Sequence, residues 1–576
     1  MSVQRTTPGL ISREMSAKGT DVDTILNILG GWGLYQRVQH LLMAFCSFSS
    51  AFQLLDMIFI GRIIPHECSA PPNGTGITIA GVELSPSNYT VEYGQCNIYV
   101  KYNTTSSITT AHTLPCIYGM TYTERKDASI VSEFDLVCER GALGDLPQTL
   151  LILGQAIGAL ILPFFSDRYG RKPTNIISHV GVLGIGVATA FSNSYITFAI
   201  LRFVMGIVQQ GIVLTAATYG IEVYPTAYRK YMGIMGKCIW GTCLVSMTPF
   251  GYFLRMESWR TQQLAFCSVS LYVIIQFIFL DESFRWLVAN GKYDIALKNI
   301  KKAAKWNKVA VNLVVDKFNE LIGRQTAIIP EPETSNQLLL NEGETKTIEK
   351  IEKYSLIDIL KRKKLALNTF ILWYLWCTAA LSYFGLFFTS ASLVGDKYLN
   401  FFLYALMEFP SGLIFFLIVD RYGRKKTLAT FYALCGTGMI LATIIKVTSD
   451  SYAASICITI FSLVGKLGAG GAFGTCFFYT PEIFPTNLRN VGLGSASIAA
   501  RVGGMLGPFS RVLSQHIAWG PGAIFGGCCL LATLLITILP ETRGKELPQT
   551  MADVKLLYKK VPDDSTLKRK NGKTKI

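Results

Sequence analysis

The hexapeptide Asp167-Arg168-Tyr169-Gly170-Arg171-Lys172 returns residue for residue as Asp420-Arg421-Tyr422-Gly423-Arg424-Lys425, 253 positions later. A second pair keeps step with it. Glu222-Val223-Tyr224-Pro225-Thr226-Ala227-Tyr228-Arg229 matches Glu482-Ile483-Phe484-Pro485-Thr486-Asn487-Leu488-Arg489 at a shift of 260. Each hexapeptide follows an apolar segment long enough to cross a bilayer. A chain that repeats its charged loops at half-length, between such segments, must fold as two copies of one membrane unit.

Half of the 576 residues are hydrophobic and only 16% are charged, too few charges for a soluble chain of this length. Apolar runs of about 20 residues suffice to span the hydrocarbon core. Twelve are read at about 40–63, 146–166, 174–193, 196–220, 231–254, 260–280, 366–391, 399–419, 427–447, 453–477, 490–514 and 519–539. The expected fold is an all-α membrane protein of twelve transmembrane helices in two six-helix pseudo-symmetric halves. No cleavable signal peptide is read at the start, where the first apolar run is too long and too late.

Loop charge orients the bundle. The connection 282–365 carries sixteen Lys and Arg, whereas 65–145 carries four against nine acidic residues. The positive-inside rule therefore puts 282–365, both repeated hexapeptides and the basic tail in the cytoplasm, and 65–145 outside. It also absorbs the net charge of +16, which needs no nucleic-acid partner. The outer loop holds Cys68, Cys96, Cys116 and Cys138, enough for two disulfides in any of three pairings. It also holds the sequons at Asn73, Asn88 and Asn103. The expected organisation is a cytoplasmic segment 1–39, a first half 40–281 containing the 64–145 disulfide-bonded and glycosylated loop, a cytoplasmic loop 282–365, a second half 366–540 and a basic tail 541–576. Within the cytoplasmic loop, Tyr293 to Leu321 has helical spacing, and 325–350 reads as a linker. The localisation that follows is a plasma membrane, crossed many times, with both termini cytoplasmic.

The repeated motifs carry a candidate conformational latch. Asp167 can accept backbone N–H groups at a helix N-terminus, and Gly170 permits the positive φ of a tight turn. Arg171 and Lys172 can pair with acids on a neighbouring helix, with Arg168 in the same loop; Glu222 and Arg229 complete an ion-pair cluster. Asp420, Arg421, Gly423, Arg424, Glu482 and Arg489 repeat it. Such a cluster would hold one face shut while the other is open. A substrate site between two repeated halves is typical of secondary transporters.

These repeats, with Asp281-Glu282-Ser283-Phe284-Arg285-Trp286-Leu287 and Pro540-Glu541-Thr542-Arg543-Gly544, resemble the major facilitator superfamily. The Cys-bearing outer loop, Tyr398-Leu399-Asn400-Phe401-Phe402, Glu408-Phe409-Pro410 and Tyr479–Thr486 narrow the resemblance to the organic cation, carnitine and organic anion transporters of the solute carrier 22 family. It runs from Gly30 to about Leu547. It implies a polyspecific organic-ion transporter working by alternating access, with organic cations or carnitine-like zwitterions first and organic anions second. A sensor built on a transporter fold, or a channel, is the alternative from another class.

Charges inside spans cost about 2.5–3.5 kcal/mol at the bilayer centre and must face a cavity or a partner. Arg501, Lys466, Lys237, Arg202, Glu408 and Asp56 qualify. The resemblance implies that Arg501 stands where anion and carnitine relatives carry a basic residue and cation transporters an Asp. An Arg can hold a carboxylate through two parallel hydrogen bonds; the alternative is pairing with Glu408 or Glu482. Lys466 is read as a second anion contact or an internal partner, and Glu408 as a partner for a cation or proton. Arg202 is assigned to coupling or an internal pair, and Asp56 to hydration near the outer end of its span. Tyr383 and Phe384 resemble cavity-lining positions, and aromatic faces attract quaternary ammonium groups. Trp373, Trp376, Phe477, Phe478 and Tyr479 are read as lipid-facing or interfacial.

No catalytic arrangement is present, so no enzymatic activity is expected. The five His residues (His40, His66, His112, His179 and His516) lack metal-ligand spacing, and there is no Walker loop. No cofactor or metal is implied, and a coupling Na+ or H+ is left open. The partners implied are a small organic ion and the lipid bilayer; the oligomeric state is not indicated.

Overall fold

The computed structural model describes residues 22–71, 78–79, 82–83, 89–102, 111–225, 228–327, 356–485, 488–545, 548 and 558. The sequons at Asn73, Asn88 and Asn103 lie outside them, as do most of the linker and nearly all of the tail. Among the described residues, twelve rods make up the bundle. They are α1 (Leu34–Ile60), α2 (Gly141–Tyr169), α3 (Arg171–Ala190), α4 (Tyr195–Val223), α5 (Arg229–Phe253), α6 (Trp259–Phe279), α7 (Lys363–Thr389), α8 (Lys397–Tyr422), α9 (Arg424–Thr448), α10 (Tyr452–Ile483), α11 (Arg489–Leu506) and α12 (Gly520–Ile536). The first rod starts at Leu34, six residues before the sequence boundary at 40.

Among the described residues, nine helices are long and apolar enough to cross a membrane by length and composition. The rods that fall short are α5, α11 and α12. Two of them, α5 and α11, are pseudo-symmetry mates, each starting just after a Pro-Thr motif. They carry Lys237 and Arg501. Both are inner helices at the seam between the halves, where polar side chains meet partners instead of lipid. The seam is built from α2 against α11 and α5 against α8.

Small residues let the rods approach. A Cβ at Gly154 would stand 2.1 Å from the Phe203 carbonyl oxygen, and one at Gly206 would stand 2.0 Å from that of Leu151. The α2–α4 crossing is therefore backbone on backbone. In the second half, Gly465, Gly468 and Gly471 of α10 press on Met439, Cys435 and Phe431 of α9. The largest buried cluster crosses the seam, from Phe52 and Leu151 to Trp376, Tyr479 and Phe525.

The outer loop departs from an all-α description. Tyr89–Tyr93, Asn97–Tyr102 and Ala111–Pro115 form a three-stranded antiparallel sheet, and His66–Cys68 pairs with Met120–Tyr122. The disulfides are Cys68–Cys116 and Cys96–Cys138, which settles the pairing left open by sequence. The second ties the loop to the start of α2.

At the opposite face, helices Phe284–Ala289, Tyr293–Trp306 and Val311–Ala327 form a small separate core. Ile25, Leu26 and Leu29 of the N-terminal segment are buried in it. Asn307 fixes the junction: its Nδ2 donates to the Leu29 carbonyl (2.6 Å), and its Oδ1 accepts from the Tyr35 amide (2.9 Å). The last helix runs to Ala327, past the expected linker start at 325.

Replacing Gly154 by Val should force α2 and α4 apart and abolish monodisperse protein in detergent. Gly184→Ala, where nothing lies within 4 Å of the new Cβ, should leave the thermal unfolding midpoint unchanged or slightly raised.

Candidate functional site

The Gly-, Ala- and Ser-rich sequence of α11 lets it lie against α7, with Gly503 on the Cys377 carbonyl. This presents Arg501 to the first half. Its guanidinium donates to Gln155 Oε1 of α2 (2.5 Å) and Gln210 Oε1 of α4 (3.0 Å). Gln155 donates in turn to Gln209 (3.1 Å), and Gln209 to the Ser50 carbonyl (2.6 Å). Gln155, Gln209 and Gln210 lie about midway along their rods, and Arg501 lies about two-thirds of the way along α11. Among the described residues no carboxylate is ion-paired with Arg501; Glu408 and Glu482, the partners considered from sequence, are engaged elsewhere.

Glu408 lies between two ammonium groups, Lys237 of α5 (2.8 Å) and Lys466 of α10 (3.1 Å). Glu408 and Lys466 are buried, and Lys237 is 24% exposed. Lys237 also donates to the Gly470 carbonyl (3.1 Å). The Lys466 Nζ sits 3.3 Å from the Tyr383 ring centroid and 3.8 Å from that of Phe387. Of the two aromatic residues expected to receive a ligand ammonium, Tyr383 thus holds one of the chain's own, together with Phe387 in place of Phe384. Trp240 of α5 donates to the Tyr383 hydroxyl (2.8 Å), a second link across the seam. Phe384 packs edge-on to Tyr383 at 5.2 Å. Trp376 and Tyr479 are fully buried, contrary to the lipid-facing reading: Trp376 Nε1 donates to Thr480 (2.8 Å) and the Tyr479 hydroxyl to the Pro540 carbonyl.

Asp56 is also not hydrated. It is completely buried and accepts two hydrogen bonds of 2.7 Å from Arg202, which reaches Gln148 as well (3.0 Å). The polar ends of α1, α2 and α4 converge there, a juxtaposition that linear spacing does not reveal. Subtracting paired charges leaves the middle of the bundle with one ammonium and one guanidinium in excess.

A cavity of about 260 Å³ opens between α1, α4 and α5, lined by His40, Ser47, Ser50, Ala216, Met232 and Trp240. Trp240 connects its wall to Tyr383. Seam hydrogen bonds and ion pairs among the described residues lie from this level to the disulfide face. The outermost are Thr149 to the Met505 carbonyl (2.9 Å) and Arg511 to Asp145 and the Gly61 carbonyl. Phe59 and Tyr252 pack on Tyr398 in the same layer.

The repeated loops form matching clusters, each inside its own half. Arg171 binds Glu222 (2.8 Å) and Asp167 (2.8 Å); Arg424 binds Glu482 (3.2 Å) and Asp420 (3.2 Å). Asp167 does not take the helix-capping role expected of it, being 74% exposed. That role belongs to Glu282, which accepts from the backbone N–H groups of Arg171 (3.0 Å) and Lys172 (3.2 Å). Glu541 does the same for Arg424 (3.0 Å). Burial raises the Glu282 carboxyl above its ordinary pKa, while the backbone N–H bonds and Arg171 oppose the rise. Gly170 and Gly423 have φ of 112° and 92°, and a Cβ would meet those carboxylates at 2.2 and 2.5 Å. Both the turn and the cap therefore require glycine. Arg168 and Arg421 lie over Tyr169 and Tyr422, outside the clusters. Arg489 Nε donates to the Pro481 carbonyl (2.8 Å), and the side chain of Arg229 is outside the description.

On the disulfide face, the side-chain ligand atoms of His66, Cys96 and Cys138 lie within 4.8 Å of one another. The two sulfurs are bonded to each other, so this is a disulfide beside an imidazole and not a metal centre.

Sequence reasoning gave no role to Gln155, Gln210, Glu282 or Glu541, and noted Lys237 only as a mid-span charge. Amides inside apolar runs were the available signal for the first two. The acids that follow α6 and α12 stand at equivalent places in the repeat, which was the signal for the others.

Known proteins match this architecture. The family model described as Sugar (and other) transporter matches residues 148–553. The Drosophila melanogaster "Organic cation transporter protein" is 29% identical, over 94% of this chain and 96% of its own. "Solute carrier family 22 member 16" of Homo sapiens is 27% identical, over 91% of each. "Organic cation transporter 1" of Caenorhabditis elegans is 29% identical, over 96% of this chain and 92% of its own. These matches bear out the resemblance to the solute carrier 22 family. The xylose transporter XylE from E. coli, in a partially occluded inward-open conformation, superposes with a TM-score of 0.56 at 16% identity, covering 89% of this chain and 100% of its own. That likeness bears on the fold alone.

Breaking the buried Asp56–Arg202 pair with Asp56→Ala should cost about 3–5 kcal/mol, read as a large fall in unfolding temperature. Glu282→Gln should destabilise the motif face more than Asp167→Asn, because an exposed pair contributes only about 0–1 kcal/mol. Equal limited-proteolysis rates for the latter two variants would contradict the capping assignment.

Proposed function

The chain belongs to the Sugar (and other) transporter family, and on that premise we propose that it carries small organic ions across a membrane by alternating access, carnitine-like zwitterions and organic cations first. The relatives named above as organic cation transporters support the substrate class. The observation that carries the reading is Arg501. A guanidinium inside the bundle, held by amide oxygens and by no carboxylate among the described residues, costs free energy unless a carboxylate visits it. A substrate carboxylate would replace Gln155 and Gln210. Its ammonium end would compete with Lys466 for Tyr383 and Phe387, with Glu408 as counter-ion.

Lys237–Glu408 and Trp240–Tyr383 join opposite halves, so rocking must break them. Substrate able to satisfy Glu408 and Arg501 offsets that loss, which is what alternating access requires of a ligand. The two loop clusters hold the motif face in a fixed shape within each half and serve as the latch that meets when this face closes. We place the chain in the plasma membrane with both termini cytoplasmic, supported by loop charge and by two disulfides on the opposite face. Coupling to Na+ or H+ is part of the proposal, through Glu408. The surplus of cationic groups favours a second reading, an organic anion as cargo.

Vesicles preloaded with unlabelled substrate should take up labelled carnitine or tetraethylammonium faster than empty ones; a sensor would show no acceleration. Arg501→Asp, at equal surface expression, should cut uptake of carboxylate substrates at least tenfold and spare tetraethylammonium. Unchanged carnitine and organic-anion uptake would remove Arg501 from the site.

A further inference from the structure

A second cavity, of about 420 Å³, lies on the disulfide face, well apart from the central site. Its size is within the range of small-molecule sites, about 300–1,000 Å³. One wall comes from the disulfide loop and the start of α2, and the other from the short helix Ser510–His516 that extends α11. Both halves therefore build it. Its polar lining is His66, Gln95, Arg511, Gln515 and His516. Gln95, Gln515 and His516 can each donate a hydrogen bond into it, while the His66 Nδ1–H is spent on the Ile64 carbonyl (3.0 Å); among the described residues no carboxylate lines it. Arg511 spends its terminal nitrogens on Asp145 and the Gly61 carbonyl, leaving a buried Nε without a partner. Val131, Leu136, Val137 and Val512 supply apolar surface.

We propose that this cavity is an inhibitory site for an amphipathic organic anion: a carboxylate set among the donors, with an apolar body against the valines. The cavity exists only where the disulfide loop and α11 meet. A ligand that fills it binds the state sealed on this face in preference to the open one, and so opposes opening. That consequence rests on the alternating-access reading; binding itself does not.

The test uses the full-length purified protein and 4-phenylbutyrate, with binding read as a shift in unfolding temperature, a measure independent of transport. Wild type and Arg501→Asp should bind equally. Val512→Trp, which fills the cavity, should weaken binding at least tenfold. Should that variant not stay monodisperse, Gln515→Glu, which puts an anion in the lining, should weaken it as much. The neutral 4-phenylbutyramide should bind at least tenfold more weakly than the acid. In uptake assays, external 4-phenylbutyrate should lower the maximal rate without raising KM. Absence of binding, binding lost in Arg501→Asp but kept in Val512→Trp, equal binding of acid and amide, or purely competitive inhibition would each overturn the proposal. Binding that follows the cavity variants in a chain showing no counterflow would leave the site standing and sink the transport reading instead.

Discussion

Charge removed from water governs this molecule. Six ionisable side chains lie inside the bundle, and the way each is satisfied differs. Asp56 and Arg202 neutralise each other within one half and are fully buried, which makes them a structural brace. Glu408 is shared between halves by two lysines from α5 and α10. Among the described residues, Arg501 has amides alone. Pairing within a half can persist through any motion of the halves, whereas pairing across the seam cannot. The distribution of partners thus separates what holds the bundle together from what must be exchanged.

The duplicated loops show the same economy. In each half, one acid from beyond the sixth helix caps the N-terminus of the third, and glycine leaves room for it. The helix N-terminus carries partial positive charge, so a carboxylate there is favourable. The Arg that follows is then free to reach the acid at the end of the fourth helix. Three helices are tied by one constellation, which explains why the motif contains so many charges in so few residues.

Much of this was legible in the sequence. Period and length gave the rods, and the half-length repeat gave the two halves. Arg171 with Glu222 and Arg424 with Glu482 could be paired because both members recur at fixed offsets. Loop charge separated the faces. What remained hidden were contacts set by three-dimensional convergence. Asp56 looked like an outer-end residue because its distance along α1 was visible and Arg202 was not. Trp376 and Tyr479 looked like interfacial anchors because aromatic residues have that average habit, yet each has a hydrogen-bond partner inside the second half. The strands of the outer loop are short, three to six residues in the two larger pairings, and so leave little periodic signal beside its cysteines and sequons. The weak hydropathy of α5 and α11 was in plain view, but its meaning, that these rods line the seam, required the fold.

The burial of Ile25, Leu26 and Leu29 among helices that begin at Phe284 has a bearing on biosynthesis. Those three side chains leave the ribosome long before their packing surface does. All six rods of the first half must be made, and delivered to the bilayer, before residues 284–321 emerge. During that interval the apolar face of the N-terminal segment is without its cover. The small domain on the motif face is therefore the last piece of the first half to assemble, and a chain stalled before residue 321 would carry an exposed greasy stub available to chaperones.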